Sequence, residues 1–264
     1  MKKAFLIIIL ALFVFSACGG KTGKENTKEQ KSGSENVVEE YIKADVYETN
    51  DGSLKVTLVG HGSLMFEYKG KVIHVDPYSK VADYTKLPQA DLILITHEHG
   101  DHLDTAVINV LKKEGTDFIV SKVVNEILGY GDVMSNGDNT TCEGISIQAV
   151  PAYNIVSKKP DGEAYHPKGR GNGYILVFGD KKVYIAADTE NIPEMDALKG
   201  TIDIAFMPKN LPYTMSDDMF IDAAKKVTPK VLYPYHMSEF DNEKIGKALE
   251  DTGIKIEVRP MKNI

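Results

Sequence analysis

Residues 97–102 place several potential metal ligands in one short loop. They read His-Glu-His-Gly-Asp-His and directly follow the apolar run 92–96, in a chain that has only seven histidines. That run is short, rich in β-branched residues and bounded by polar ones, which predicts a buried strand. Gly100 disfavours a helix here, because glycine costs about 1 kcal/mol inside a helix. Imidazoles and carboxylates are ligands of zinc and similar divalent ions. The pattern therefore predicts a metal site beyond a strand.

Two further apolar runs each end in one potential ligand. Residues 183–187 lead into Asp188, and residues 231–235 lead into His236. Either one alone is weak evidence, because polar residues commonly follow strands at a protein surface. Together with residues 97–102, they predict a site at which several strand ends meet.

Strand and helix patterns alternate along most of the chain. The predicted strands are residues 54–59, 64–68, 72–75, 92–96, 118–120, 145–150, 173–178, 182–186, 202–207, 231–235 and 254–258. The predicted helices are residues 103–113, 123–128, 216–227 and 242–251. Along the chain, a run of predicted strands is followed by alternating strands and helices, and this arrangement occurs twice. It predicts two sheets packed face to face, with helices outside.

The amino terminus resembles a bacterial lipoprotein signal. Lys2 and Lys3 precede the apolar run 4–15, and Ser16-Ala17-Cys18 follows. The run is too short to span a bilayer, which takes about 20 apolar residues. The resemblance implies removal of residues 1–17 and lipidation of Cys18, which anchors the exported protein to a membrane. A secreted protein with a leftover cysteine and an uncleaved anchor are the alternatives.

Composition narrows the possible domain organisation and partners of the rest of the chain. Residues 18–40 are polar and lack apolar periodicity, so we predict a flexible tether followed by one domain over residues 41–264. Removing residues 1–17 leaves 29 basic and 38 acidic residues, a net charge of −9. This charge argues against long nucleic acids as partners, because their binding depends on lysine and arginine. With Cys18 lipidated, Cys142 is left without a disulfide partner.

The candidate ligands resemble those of the metallo-β-lactamase-fold metal-dependent hydrolases. Residues 97–102 match the signature loop, Asp188 in Ala-Asp-Thr-Glu matches the bridging aspartate, and His236 matches the last histidine. Residues 60–63 (Gly-His-Gly-Ser) and 72–77 resemble the opening hairpin of the branch that includes L-ascorbate-6-phosphate lactonase. The resemblance covers about residue 46 to the carboxyl terminus. It implies an α/β fold of the αββα sandwich type, in which two mixed β-sheets hold the metals at one edge.

One ligand of that family has no direct counterpart here. The family usually places another histidine at the end of the strand that corresponds to residues 145–150, but residues 150–154 contain none. His166, in a glycine-rich loop, is the candidate to replace it. The resemblance then implies a first metal held by His97, His99 and His166. It implies a second metal held by Asp101, His102 and His236, with Asp188 between the two.

The metals and the neighbouring groups remain less defined. Two Zn²⁺ ions are expected, with Mn²⁺ or a single metal as alternatives. Glu98 and Asp76 are candidates to orient the ligands from outside. His74 is expected to have a structural role, whereas His61 either lies near the metals or only shapes its loop.

The predicted activity is hydrolysis of a small ester or lactone by a metal-bound hydroxide, with Asp101 as the catalytic residue that orients or deprotonates the water. The competing hypotheses are a phosphodiesterase acting on nucleotides or phospholipids, and a lipoprotein that binds a metal or ligand without catalysis. β-Lactam hydrolysis is a further possibility. The candidate substrate-binding residues surround the loop of His166: Tyr153, Asn154, Lys168, Arg170 and Asn172.

Overall fold

The computed structural model describes residues 42, 44–237 and 239–262. In this part of the chain the strands form two sheets of seven strands each. The predicted export signal, Cys18 and the tether lie outside the described residues. Among the helices that are described, none combines the length and the apolar character needed to cross a membrane.

The first sheet follows chain order from strand to strand. Its strands are β1 (Ala44–Thr49), β2 (Gly52–Gly60), β3 (Ser63–Tyr68), β4 (Lys71–Val75), β5 (Ala90–Ile95), β6 (Lys112–Val120) and β7 (Asp132–Val133). Strands β1 to β4 pair antiparallel, and β4 to β7 pair parallel. Lys69 and Gly70 form the turn between β3 and β4, where the sequence predicted a hairpin.

The second sheet repeats this plan. Its strands are β8 (Asn139–Cys142), β9 (Ile145–Ala152), β10 (Gly171–Phe178), β11 (Lys181–Ile185), β12 (Ile204–Lys209), β13 (Val231–Met237) and β14 (Lys255–Ile256). Strands β8 to β11 pair antiparallel, and β11 to β14 pair parallel. Because β11, β12 and β13 run in the same direction, their carboxyl ends meet at one edge of the sheet.

The main core lies between the two sheets. Alternate residues of β2, namely Leu54, Val56 and Leu58, are at most 2% exposed and belong to it. Phe66 of the first sheet lies 5.6 Å from Phe178 of the second sheet, measured between ring centroids. Burying one such side chain contributes about 1.5–3 kcal/mol. Apolar side chains at every second position of β2 therefore help to join the two sheets face to face.

Among the described residues, four α-helices cover the outer faces of the sheets. They are α1 (Thr105–Leu111), α2 (Lys122–Leu128), α3 (Asp217–Val227) and α4 (Asn242–Leu249). Val107 of α1 and Val124 of α2 pack with Ile93 of the first sheet. Residues of α3 and α4, including Phe220, pack with Ala205 of the second sheet. The layers are helix, sheet, sheet, helix, which confirms the predicted sandwich.

The predicted helix over residues 103–113 is wrong at both ends. It begins only at Thr105, because the Asp104 side chain accepts hydrogen bonds from the backbone N–H groups of Ala106 and Val107 and caps the helix. It ends at Leu111, because Lys112 begins β6 and pairs with β5. Strands β1, β7 and β8 were not predicted. β7 has only two residues, and β1 and β8 lack the apolar alternation that marks a half-buried strand.

Candidate metal centre

The loop that follows β5 folds back on itself. The backbone N–H groups of His102 and Leu103 both donate to the carbonyl of His99, over 2.9 and 2.8 Å. This turn brings the side chains of the loop to the same edge of the sandwich, where His97 is 4% exposed and His102 is fully buried. The sequence prediction of ligands beyond a buried strand therefore agrees with the local structure.

Two other strands lead to candidate ligands at points where the backbone has a positive φ. Ala187, which precedes Asp188, has φ 59°, and His236 near the end of β13 has φ 45°. Four of the seven non-glycine residues with positive φ in the described chain lie at this site: His61, Asp76, Ala187 and His236. Such conformations cost about 1–3 kcal/mol each and cluster at functional sites.

The side chains of His97, His99 and His166 form the first donor group. His99 Nδ1 lies 3.1 Å from His97 Nε2 and 3.1 Å from His166 Nε2. Tetrahedral ligands about 2.0–2.1 Å from a zinc ion are about 3.3 Å apart. The spacing of the three nitrogens therefore fits one shared cation, and the structure brings His166 to the place that the sequence analysis gave it.

The second donor group consists of Asp101, His102 and His236. Asp101 Oδ2 lies 3.6 Å from His102 Nε2 and 3.4 Å from His236 Nε2. Asp188 lies between the two groups, because its Oδ2 is 3.3 Å from His166 Nε2 and 3.5 Å from His236 Nε2. Its Oδ1 is 3.5 Å from His102 Nε2. The seven predicted ligands therefore come together as two groups that share one carboxylate.

Several of these donor atoms are buried without a hydrogen-bond partner. They are His102 Nε2, Asp188 Oδ1 and His236 Nε2. A buried polar atom without a partner costs about 1–3 kcal/mol. Divalent cations held by these residues would satisfy all three atoms, and imidazole nitrogen and carboxylate oxygen are suitable donors for zinc. The residues present thus fit a pair of metal ions.

The other ring nitrogens of the ligands have partners that fix the rings. Asp76 Oδ2 accepts from His102 Nδ1 over 2.8 Å and from Thr96 Oγ1 over 2.6 Å. Thr96 Oγ1 in turn lies 2.9 Å from His97 Nδ1. Since the threonine hydroxyl donates to Asp76, its oxygen accepts from His97. Asp76 therefore orients the ring of His102 directly and that of His97 through Thr96. The sequence analysis had proposed Asp76 for this role.

Asn154 fixes the orientation of the His166 ring in a similar way. Its Oδ1 lies 2.7 Å from His166 Nδ1 and accepts from the backbone N–H of the same residue over 2.8 Å. Asn154 is held in turn by Glu190, a fully buried carboxylate that also accepts from the backbone N–H groups of residues 155–157. The sequence analysis proposed Asn154 for substrate binding, whereas its side chain is fully used in orienting a ligand.

Burial and the neighbouring charges set the protonation of the ligands. Burial holds the pKa of His97 well below 6.5, so its imidazole is neutral, the form that binds metal. Burial also lowers the pKa of His102, but the carboxylates of Asp188 and Asp76 outweigh it and raise that pKa to about 10. Burial raises the pKa of Asp188, whereas His236 and His102 more than offset this and hold it well below 3.8.

Comparison with known proteins assigns the chain to a family. Residues 55–236 match the model of the β-lactamase superfamily domain. A UPF0173 metal-dependent hydrolase of Thermococcus kodakarensis is 30% identical over 195 residues, which are 69% of this chain and 84% of that protein. The chain belongs to the metallo-β-lactamase superfamily, within the UPF0173 metal-dependent hydrolases. It is therefore an enzyme, a metal-dependent hydrolase.

Other relatives agree with this assignment. A UPF0173 metal-dependent hydrolase of Nanoarchaeum equitans is 27% identical over 212 residues, which cover 76% of this chain and 94% of that one. A crystal structure from Parabacteroides distasonis, described provisionally as a metal-dependent hydrolase, is 46% identical with a TM-score of 0.79. That match covers 84% of this hydrolase and all of the other chain.

The remaining candidate substrate residues have partners within the hydrolase. Lys168 Nζ lies 2.6 Å from Glu194 Oε1, and the Tyr153 hydroxyl donates to Glu194 Oε2 over 3.0 Å. Arg170 pairs with Glu98, which the sequence analysis had proposed as an outer residue of the metals. Asn172 is buried and donates to the carbonyl of Met134 over 2.8 Å. Arg170 and Asn172 border a small recess beside the first donor group.

A larger cavity of about 710 Å³ opens over the two donor groups. Its walls include residues that the sequence analysis did not single out: Tyr78, Ser79, Lys80, Tyr165, Asn210 and Tyr213. For two of these residues, the position along the sequence is informative. Tyr78 follows closely after the end of β4, and Asn210 comes directly after β12, at the edge of the sheets that carries the ligands.

Binding of zinc to the cation-free hydrolase is expected to release at least one proton at pH 8. The reason is that His102, with its pKa raised to about 10, is protonated at that pH and loses this proton when it binds the ion. The apparent affinity should accordingly rise with pH up to about 10. Calorimetric titration in buffers of different ionisation enthalpy measures the released protons, and a value of zero would contradict the assignment of His102 as a ligand.

Proposed function

We propose that this hydrolase cleaves a small lactone or another carboxylic ester with the help of two Zn²⁺ ions. The observation that carries the proposal is the pair of donor groups on either side of Asp188, which reach the 710 Å³ cavity through His99, His166, Asp101 and His236. Cavities of about 300–1,000 Å³ suit small molecules. The ester is favoured over other substrates by the resemblance of residues 60–63 and 72–77 to the lactonase branch.

The reaction requires a nucleophile and a way to stabilise negative charge. Bound divalent ions supply both, since they lower the pKa of a coordinated water and polarise a carbonyl oxygen. Hydrolysis adds the hydroxyl of water to the carbonyl carbon and breaks the bond from this carbon to the ester oxygen. The proton ends on that oxygen, so a lactone yields a hydroxy acid.

The residues of the chain divide the remaining tasks. The side chain of Asp101 is 33% exposed, while those of His102 and Asp188 are at most 4% exposed. Asp101 is therefore the acidic ligand within reach of a substrate water, and we assign to it the orientation of that water. Asn210 offers an amide to a hydroxylated substrate, and Lys80 at the cavity wall offers a positive charge to an anionic one.

We also propose that the hydrolase is exported and held at a membrane by lipidated Cys18. The support is the sequence pattern at residues 1–18 and the polar character of residues 19–40. Two or more acyl chains anchor a protein stably. The substrate is then a small molecule outside the cytoplasm, and the acidic surface disfavours long nucleic acids.

The zinc-loaded protein is expected to hydrolyse members of a lactone panel, with a preference for lactones that carry a carboxylate or phosphate group. A negatively charged substrate gains from Lys80, which lines the cavity with its ammonium group 5.6 Å from the centroid of the Tyr78 ring. The measurement compares kcat/KM on the panel with that on bis-p-nitrophenyl phosphate. Activity on the diester alone would make a phosphodiesterase the better assignment. Bound zinc without activity on either substrate would favour a binding protein.

Replacement of Cys18 by alanine is expected to abolish lipid labelling of the protein and to reduce its share in the membrane fraction. The substitution removes the thiol to which the acyl chains attach. Fractionation of cells together with labelling by a fatty acid analogue measures the effect, and Cys142→Ala is the matched control. Unchanged labelling of Cys18→Ala would refute the lipid anchor.

A further inference from the structure

His61 contacts the second donor group, although it is absent from the ligands implied by the sequence. It follows β2, has φ 50° and is 4% exposed. Its Nε2 lies 3.0 Å from Asp101 Oδ2. Its ring lies 3.8 Å from the ring of His236, measured between centroids. His61 therefore contacts two of the three residues of that group.

The backbone around His61 is attached to the same ligands. The carbonyl of His61 accepts from the backbone N–H of His236 over 2.9 Å, so two residues with positive φ are hydrogen-bonded to each other. The next residue, Gly62, packs so closely that a Cβ there would lie 2.8 Å from His102 Cε1. Any larger residue at position 62 would displace His102. This turn thus contacts every residue of the second donor group.

The second ring nitrogen of His61 distinguishes it from the ligands. A histidine that binds metal needs an acceptor for its other N–H. Three of the buried ligand histidines have an oxygen acceptor at that nitrogen: Thr96 at His97, Asp76 at His102 and Asn154 at His166. At His236 Nδ1 the neighbour is the amide nitrogen of Asn210, 3.5 Å away. His61 Nδ1 is buried and has no hydrogen-bond partner in the described structure.

This difference determines where the proton of His61 lies. A proton on Nδ1 would be a buried donor without an acceptor, and the lone pair of Nε2 would face the carboxylate of Asp101. A proton on Nε2 is instead donated to Asp101 Oδ2. The second arrangement satisfies one donor and avoids the repulsion, so it has the lower free energy.

We infer that His61 is a positioning residue, which holds Asp101 and His236 in place for the second cation without binding that cation itself. The inference rests on the two-cation site of the proposed function. Within the described part of the chain, the ring of His61 contacts those of Tyr78, His102 and His236, and its side chain is hydrogen-bonded to Asp101. Its influence is therefore confined to the second donor group, and the group of His97, His99 and His166 remains intact when His61 is replaced.

The test is a stepwise Zn²⁺ titration of the cation-free protein against a chromophoric chelator. His61→Leu retains an apolar side chain beside His236 but removes the donor, so the second cation should bind about 10–100-fold more weakly. The first cation should bind as in the wild type. His61→Gln restores an N–H for Asp101 and should recover most of the lost affinity.

His74→Gln is the matched control. His74 is also a fully buried histidine of the first sheet, and its Nε2 lies 3.0 Å from the carbonyl of Pro88, among residues that form neither donor group. This control should bind both cations as the wild type does. Thermal unfolding of each cation-free variant shows whether it is folded, and His61→Ala, which also lacks the donor, takes the place of His61→Leu if the leucine variant does not fold.

The outcomes separate the role of His61 from the site as a whole. Equal weakening of both cations in a folded His61 variant, or no weakening in His61→Leu, would overturn the inference. So would a glutamine variant that loses the second cation, or that loses one nitrogen donor in the X-ray absorption spectrum of the cobalt-loaded protein, since both indicate that His61 is a ligand. A wild-type protein that binds no cation would instead refute the two-cation site.

Discussion

Nitrogen and oxygen lone pairs from five histidines and two aspartates face one another at the edge between the two sheets. Such an arrangement is unfavourable by itself, because the carboxylates repel each other and buried donor atoms lack partners. Divalent cations turn the same arrangement into a stable one. The positive φ values of Ala187 and His236 bring further ligands toward this point, at a cost in backbone strain. The two donor groups of this hydrolase therefore require positive charge, which bound cations would supply.

Asp76 shows how the scaffold holds the site together. Its carboxylate is 1% exposed and accepts hydrogen bonds from the backbone and hydroxyl of Thr96 and from the ring of His102. It follows β4, so it connects the end of that strand to the loop beyond β5. Asn154 and Glu190 form a corresponding set of contacts around His166. Each donor group thus has a buried carboxylate behind it that fixes the direction of a ring.

The sequence indicated which candidate ligands come together better than it indicated what surrounds them. Asp188 and His236 follow strands of one sheet whose carboxyl ends meet at one edge, so the strand pattern indicated that these two residues come together. Residues 97–102 follow a strand of the other sheet, and their place beside these two was implied by the family resemblance. His166 could be proposed because a ligand was missing from the family pattern. Asn154 was expected to bind substrate, since nothing in its neighbourhood along the chain shows that His166 lies 2.7 Å away. The cavity residues Lys80 and Asn210 come from separate loops, and their proximity depends on tertiary packing that no local pattern encodes.

A crystal structure of the zinc-loaded protein, with anomalous data at the zinc edge, tests the central claim most directly. The account predicts two anomalous peaks per chain. One should lie about 2.0–2.1 Å from the nitrogens of His97, His99 and His166, and the other at similar distances from Asp101, His102 and His236. Asp188 should contact both. A single peak, or zinc bound away from Asp188, would contradict the account.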